Sequence, residues 1–439
     1  MSDNNTPDIQ NDKSKQSFLK RFWWIGIILG ACLVVVILMA IKNIQRDRES
    51  SQSFIPETQN NNGPTIGTTN KNQTSESQQP KDMLSSLPAC QNTKELFTTF
   101  PVEDGKFSSI TPLGNLNPSS HTFPTDHIYV EVADPQHPER NTLDKAKSLI
   151  APADMWILAI KMSEQVGGVT DWAMDFSPCK DVKGQFGHVG SISDKIKNEI
   201  DKVDGKCNEY ETGGHKFKSC SYNNLKVKVA AGEKIGTAGS ERSGMLDIWM
   251  SDYREPQVKR ANASRWSPDR NYVSCFLDYL PTSQKNQYYN LLRGPNQGIR
   301  TKEPRCGTTE VDIAGTTQGV WFYKPESLIN QEDPHLALIF DNMETDKQVF
   351  SVGTSAGSAG LSSTVYRFTP KTSGNINRDF SQVTANGSVY CYDTINNNVE
   401  NKSILLTMPT PEKLRIQKYP TTCGTGPWTM SDGFIEYER

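Results

Sequence analysis

The chain has 439 residues, of which 47 are Lys or Arg and 50 are Asp or Glu, so its formal net charge is -3. This near balance, together with the lack of a basic patch, excludes nucleic acid from the expected partners. Hydrophobic residues make up only 35% of the chain. Since that share is low for a wholly globular protein, we expect part of the chain to be unstructured.

The N-terminal region predicts a membrane anchor. Residues 22–41, "FWWIGIILGACLVVVILMAI", are uncharged, and about 20 such residues cross a bilayer as a helix. A cleaved signal peptide has a shorter apolar region and a small-residue cleavage site, and this stretch fits neither feature well. We therefore expect a cytoplasmic tail at 1–21, a single transmembrane helix at 22–41 and a disordered linker, rich in Ser, Gln, Asn and Thr, at 42–88.

Cysteine usage sets the expected orientation of the chain. Cys32 lies within the anchor, and the other eight of the nine cysteines follow it. An even number of cysteines beyond an anchor indicates disulfides in an oxidising compartment, with buried free thiols as the alternative. We expect an inner- or plasma-membrane protein with a cytoplasmic N-terminus and the bulk of the chain periplasmic or extracellular.

The segment "CNEYETGGHKFKSC" predicts one particular disulfide. Its composition is typical of a hairpin that turns at the two glycines, which places Cys207 opposite Cys220. Eight cysteines allow about 105 pairings, so other pairs rest only on proximity along the chain. That proximity favours Cys275–Cys306 and Cys391–Cys423.

Residues 89–256 are expected to form the first folded domain, with mostly β structure. Alternating runs such as "HIYVEV" and "GMLDIWM" are typical of strands, and turn residues separate them. Only "SISDKIKNEIDKV", at 191–203, has helical spacing, because its isoleucines fall on one side of a helix.

Five short pieces follow one another in this domain: His121 with Asp126, Ala151-Pro152, "FGHVGSIS" at 186–193, "VAAGEKIGTAG" at 229–239 and "MLDIWM" at 245–250. Their order resembles that of the motifs in the lysostaphin-type (LytM-like) zinc endopeptidases of bacterial cell walls. That family has a His…Asp pair, an Ala-Pro turn before a strand, Tyr-Gly-His-Leu-Ser, Val-x-x-Gly-x-x-Ile-Gly and a closing His-x-His strand. The resemblance covers about residues 105–255 and implies a peptidase-like β-sheet domain.

The resemblance also implies roles for individual residues. Family members hold zinc with the first His, the Asp and the second His of the closing motif, and the open position polarises water and the scissile carbonyl. His121 and Asp126 match the first pair, although one more residue separates them than in the family, and His188 matches a catalytic histidine. Asp247 occupies the position of the third zinc ligand.

The closing motif departs from the family pattern. Met245 and Asp247 stand where the two histidines are expected. A His/Asp/Asp set suits zinc less well than a set with two imidazoles. Met245 cannot transfer a proton or stabilise an oxyanion, and the loss of one such group typically lowers the rate about 100–1,000-fold.

His127 is the alternative to Asp126 as a ligand. If 126–132 is a strand, the two side chains point to opposite faces, so only one can join His121 in a cleft. Simpler roles also stay open: His121 and Asp126 can brace the turn by hydrogen bonds, and His188 can be a buried histidine satisfied by backbone. The remaining histidines, His137, His215 and His335, are expected to be isolated surface residues.

Residues 257–439 are expected to form a second β-rich domain of unknown function. Short β-prone runs such as "GVWFYK", "LALIF" and "SVYCYD" recur at near-regular spacing, which favours a small barrel or a sandwich. The segment "CFLDYLPTSQKNQYYNLLRG" is expected to form a connecting helix.

These features together predict a membrane-anchored cell-envelope protein. We expect its peptidase-like domain to be catalytically degenerate and to bind peptidoglycan or an envelope protein, with no zinc or weakly bound zinc. One alternative is an active metalloendopeptidase, a peptidoglycan hydrolase with an unusual His/Asp/Asp metal site. The other alternative is a structural component of envelope assembly.

Overall fold

A computed structural model describes residues 83–132, 147–165, 168–212, 215–240, 243–294, 298–324, 332–395 and 402–439. All of them belong to one compact unit, Ile55–Arg439. The expected cytoplasmic tail, the expected anchor and most of the expected linker lie outside these ranges, as does His137. Across the described ranges, no helix is both long enough and apolar enough to cross a membrane.

The first half of the described chain builds one sheet of eleven strands, in which all pairs of strands are antiparallel. Its main path runs β1-β2-β11-β6-β5-β4-β8-β7, while β9 pairs with β4, and β10 pairs with both β3 and β6. The strands are β1 (Ser109–Thr111), β2 (His127–Glu131), β3 (Lys147–Ile150), β4 (Met155–Gln165), β5 (Thr170–Cys179), β6 (Val182–Ile192), β7 (Lys206–Thr212), β8 (His215–Tyr222), β9 (Val227–Val229), β10 (Lys234–Ala238) and β11 (Met245–Asp252).

The central strands of this sheet present two different faces, because alternate side chains of a strand point to opposite sides. On β11, Leu246, Ile248 and Met250 are buried in the main hydrophobic core. The side chains between them, Asp247 and Trp249, are only partly buried. We call the side of the sheet that carries these two residues the outer face.

A short α-helix and two disulfides complete this half. Helix α1 (Asp194–Ile200) lies within the stretch predicted to be helical, and its Ile196 and Ile200 are buried in the core. A disulfide joins Cys90 to Cys179 at the end of β5, and another joins Cys207 to Cys220 across the β7–β8 pair. The predicted hairpin disulfide is therefore confirmed.

The segment after β11 packs against the same sheet. It contains 3-10 helices at Ala263–Arg265, Asp269–Tyr272 and Phe276–Tyr279, followed by helix α2 (Thr282–Tyr289). The expected connecting helix is thus broken into a 3-10 turn and an α-helix on either side of Pro281. The core of the eleven-stranded sheet includes Phe276 and continues as far as Cys306, which is disulfide-bonded to Cys275.

In the rest of the described chain, 3-10 helices at Thr354–Ala359 and Phe380–Gln382 accompany two antiparallel four-stranded sheets. One has the order β12-β13-β14-β15 and the other the order β16-β17-β18-β19. Their strands are β12 (Gly319–Trp321), β13 (Leu336–Phe340), β14 (Gln348–Val352), β15 (Thr364–Phe368), β16 (Val389–Asp393), β17 (Ser403–Thr410), β18 (Lys413–Tyr419) and β19 (Ile435–Glu438). The protein is therefore mostly β with several antiparallel sheets, as expected.

The two small sheets share one hydrophobic core, which contains Trp321, Phe350, Tyr392 and Ile416. The other side of the β12–β15 sheet contributes Val320, Ala337, Ile339, Val349 and Val365 to a separate cluster. Phe123, from the "HTFPTDH" stretch, is fully buried in that separate cluster. The disulfide Cys391–Cys423 lies in a third, smaller cluster. The predicted disulfides Cys275–Cys306 and Cys391–Cys423 are therefore also confirmed.

Candidate functional site

Strand pairing brings three of the predicted site residues onto the outer face. Strand β11 lies between β2 and β6, and Asp247 pairs with Tyr129 on one side and with Gly187 on the other. His127, on β2, pairs with Trp249. The side chains of His127 and Asp247 therefore project from the same face. His188 follows directly after Gly187, and its ring reaches Asp247 on that face.

The carboxylate of Asp247 lies between two imidazoles. Its Oδ2 is 3.7 Å from Nε2 of His127 and 3.6 Å from Nε2 of His188. Gly187 leaves room for this carboxylate, because a Cβ added there would lie 3.2 Å from Cβ of Asp247. His188 has φ +54°, a conformation that is uncommon outside glycine and that often marks a functional position.

A further carboxylate orients each imidazole. Nδ1 of His127 is 3.1 Å from Oδ1 of Asp126, and Nδ1 of His188 is 2.9 Å from Oδ2 of Asp171. A hydrogen bond at Nδ1 fixes both the orientation of the ring and its tautomer. As a result, the two Nε2 atoms face the same oxygen of Asp247.

Asp126 is itself held by a cation. Nε of Arg270 lies 2.9 Å from Oδ2 of Asp126, and Nη1 of Arg270 lies 3.1 Å from Oε1 of Glu332. Burial raises the pKa of Asp126, but the charge of Arg270 and the hydrogen bond with His127 lower it more, so the pKa lies well below its ordinary value. Asp126 is therefore a permanent anion at the edge of the site.

The same surroundings act on His127. Burial lowers the pKa of this imidazole, but the charges of Asp247 and Asp126 and the hydrogen bond with Asp126 raise it more, so the net shift is upward. Nε2 of His127 and Oδ1 of Asp247 are nevertheless buried without a hydrogen-bond partner. The His127–Asp247 contact is thus electrostatic and longer than a hydrogen bond.

His121 joins the group through His127. The two rings meet edge to face, with their centroids 5.4 Å apart, and Nδ1 of His121 is 3.7 Å from Oε2 of Glu332. The same oxygen of Glu332 accepts a hydrogen bond of 3.3 Å from the backbone N–H of Phe123. All five residues singled out from the sequence, His121, Asp126, His127, His188 and Asp247, therefore belong to one continuous cluster.

Sequence reasoning missed three members of this cluster. Asp171 shares strand parity with Asp175, which pairs with Gln185 on the outer face, so the side of the sheet that carries Asp171 could have been inferred from the sequence. No sequence signal identifies Arg270 or Glu332, because both reach the cluster from beyond residue 256.

His335 corrects one prediction. It was expected to be a surface residue, but it is fully buried between the rings of Phe123 and Phe322. Its Nδ1 accepts a hydrogen bond of 3.0 Å from the backbone N–H of Tyr323. A stacked, neutral imidazole can replace an apolar ring in such a core, which an isolated histidine in a sequence does not reveal.

The zinc ligands implied by the resemblance do not fit together as a set. Asp126 already neutralises Arg270 and bonds His127, while His121 faces Glu332. His127 and His188, which face one oxygen of Asp247, are with that carboxylate suitable ligand types. In the described ranges, however, no three His, Cys, Asp or Glu side chains are arranged so that they could hold a metal ion. We therefore derive no chemical step through a metal.

The outer face continues beyond the cluster as a polar and aromatic surface. Nζ of Lys183 lies 3.3 Å from Asp269, 3.7 Å from Asp175 and 5.7 Å from the ring centre of Trp249. Gln185 pairs with Trp249 on one side and with Asp175 on the other, and its amide donates a hydrogen bond of 2.5 Å to Asp175. A ligand that lies along the face beside Asp247 meets an indole ring, an amide and an ion pair.

Comparison with known proteins gives no family for the chain. No protein-family model matches it, and no curated protein sequence is similar to it. The likeness to lysostaphin-type peptidases rests on the order of motifs alone.

Proposed function

We propose that this chain is a membrane-anchored protein of the bacterial cell envelope whose LytM-like sheet binds peptidoglycan without cutting it. The four disulfides support a location in an oxidising compartment. The uncharged stretch 22–41 supports the anchor. The order of motifs from His121 to Met250 supports the relation to wall peptidases.

One observation carries the choice of binding over hydrolysis. The closing strand places Asp247 between two imidazoles and Met245 beside it, where the related peptidases have two histidines. Met245 has no group that can move a proton. The carboxylate of Asp247, whose Oδ2 lies 3.7 Å from His127 and 3.6 Å from His188, can still accept hydrogen bonds from amide or ammonium groups of a wall peptide.

Binding of the full-length protein, purified in detergent, to isolated bacterial cell walls tests this proposal by co-sedimentation. Asp247→Asn should weaken binding about tenfold or more, because a hydrogen bond to a charged group is worth about 1.5–3 kcal/mol. Asp346→Asn is the matched control, since its side chain is 75% exposed on the loop after β13. No sedimentation of the wild type, or equal sedimentation of both variants, would contradict the proposal.

The second candidate function is an active metalloendopeptidase. The observation that favours it is the pair of carboxylate-backed imidazoles, because metal-bound histidines usually donate their other N–H to a carboxylate. If this function is correct, the purified protein should retain about one zinc per chain after dialysis, as tight protein sites do. Asp247→Ala should then lose the zinc.

A further inference from the structure

Acidic and basic side chains alternate along one chain of contacts through the cluster. Each contact spans between 2.9 and 3.7 Å. In order, its members are Glu332, Arg270, Asp126, His127, Asp247, His188 and Asp171. Each carboxylate in this chain of contacts thus lies beside Arg270 or an imidazole, and a basic neighbour reduces the free-energy penalty of holding a carboxylate away from water.

The two ends of this chain of contacts come from different parts of the protein. Asp171, which orients His188, belongs to the same sheet as Asp247. Asp126, which orients His127, is held instead by Arg270 from a 3-10 helix after β11 and, through Arg270, by Glu332 just before β13. One imidazole is therefore braced by its own sheet, and the other depends on the C-terminal part of the chain.

The geometry of Arg270 suits this task. A guanidinium group is planar and carries several donors in fixed directions, so it can hold two carboxylates at once. Burial lowers the pKa of Arg270, but the charges of Asp126 and Glu332 raise it more, so the group stays charged. A lysine could pair with one carboxylate but would not fix the directions of both.

We infer that Arg270 and Glu332 are positioning residues for the outer-face cluster, and that they act on His127 through Asp126. Glu332 fixes Arg270, and Arg270 fixes the carboxylate that sets the ring of His127. The outer-face cluster is therefore complete only when the segments after β11 that carry Arg270 and Glu332 are folded against the sheet. The importance of this cluster for ligand binding rests on the proposed function, but the positioning itself does not.

The ring N–H signals of histidine test the inference without any ligand. The chain has only six histidines, so selective 15N labelling of the full-length protein gives few signals, and His127→Gln assigns that of His127. Arg270→Met should abolish the slowly exchanging Nδ1–H signal of His127 while the protein stays folded. Arg270→Lys should restore the signal in part. If Arg270→Met does not fold, Glu332→Gln provides the alternative test and should weaken the signal.

Arg300→Met is the matched control, because Arg300 is also buried in the C-terminal part but donates to backbone carbonyls of Pro304 and Asn342. It should leave the His127 signal unchanged. An unchanged His127 signal in folded Arg270→Met and in Glu332→Gln would overturn the inference. A lost signal in a protein that binds no cell walls would support the inference and reject the proposed function.

Discussion

His188 has the left-handed backbone conformation that costs most residues free energy, and its ring is held by Asp171. Asn tolerates this conformation better than other side chains, whereas a β-branched residue does not. The strain is located beside Asp247, in the middle of the cluster, and strained residues of this kind tend to occur at functional positions. This backbone conformation supports the binding role that we propose for this face.

Substitutions of His188 separate backbone strain from the loss of its hydrogen bond. Both His188→Asn and His188→Val remove the imidazole, but only valine strongly opposes φ +54°. The free energy of unfolding should therefore be about 1–2 kcal/mol lower for His188→Val than for His188→Asn. Urea unfolding measures the difference, and equal stabilities would mean that the left-handed conformation is absent in solution.

The lowered pKa of Asp126 predicts that the free energy of unfolding falls at acid pH. Its pKa in the folded protein lies below that of the unfolded chain, which is about 3.9. Its contribution to stability is therefore fully present above about pH 4 and is lost as the pH falls towards the folded-state pKa. Between about pH 5 and pH 2, the unfolding free energy of the wild type should fall more steeply than that of Asp126→Asn. Parallel curves would contradict this prediction.

At the scale of elements, the sequence predicts the strands and the helix whose apolar residues recur with a local period. The alternation in "HIYVEV" and "GMLDIWM" corresponds to β2 and β11, and the isoleucine spacing corresponds to α1. The positions of His127 and Asp247 on one face follow from the same alternation. Asp126 precedes the strand, so strand parity does not govern its side chain, which is why it can reach His127 from outside the sheet.

The position of the Cys207–Cys220 disulfide in the β7–β8 hairpin predicts that it stabilises the edge strand β7 locally. Strand β7 is the outermost strand of the sheet, β8 is the one described strand that pairs with it, and the Cys207–Cys220 bond joins the two strands. Replacing both cysteines by serine should cost about 3 kcal/mol at most and should speed amide hydrogen exchange in β7. Serines at Cys391 and Cys423 should leave exchange in β7 unchanged. If β7 stays equally protected in both variants, the bond is not what holds the edge strand.

At the scale of the whole molecule, the "HTFPTDH" stretch connects the large sheet to the C-terminal sheets. Phe123 is buried beside Trp266 and Phe322, and its ring stacks on His335 at 5.2 Å. This packing joins residues about 200 positions apart in the sequence, and no local pattern encodes such a pairing. For the same reason the sequence could suggest the histidines of the cluster but not Arg270 and Glu332.

Phe123→Ala tests this connection. The substitution removes a fully buried ring and should lower the free energy of unfolding by about 3–5 kcal/mol. Phe340→Ala is the matched control, because Phe340 is 41% exposed, and surface substitutions usually change stability by about 0.5 kcal/mol or less. Similar small losses in both variants would show that the stretch is not packed against the C-terminal sheets.

The most direct test of the central claim is the release of soluble peptides from isolated cell walls, measured by mass spectrometry with zinc supplied. Asp247 and Met245 stand where lysostaphin-type peptidases have histidines. We therefore predict that the full-length protein sediments with the walls and releases no more peptide than Asp247→Ala does. Zinc-dependent release by the wild type that disappears in Asp247→Ala would contradict the claim and establish a peptidase.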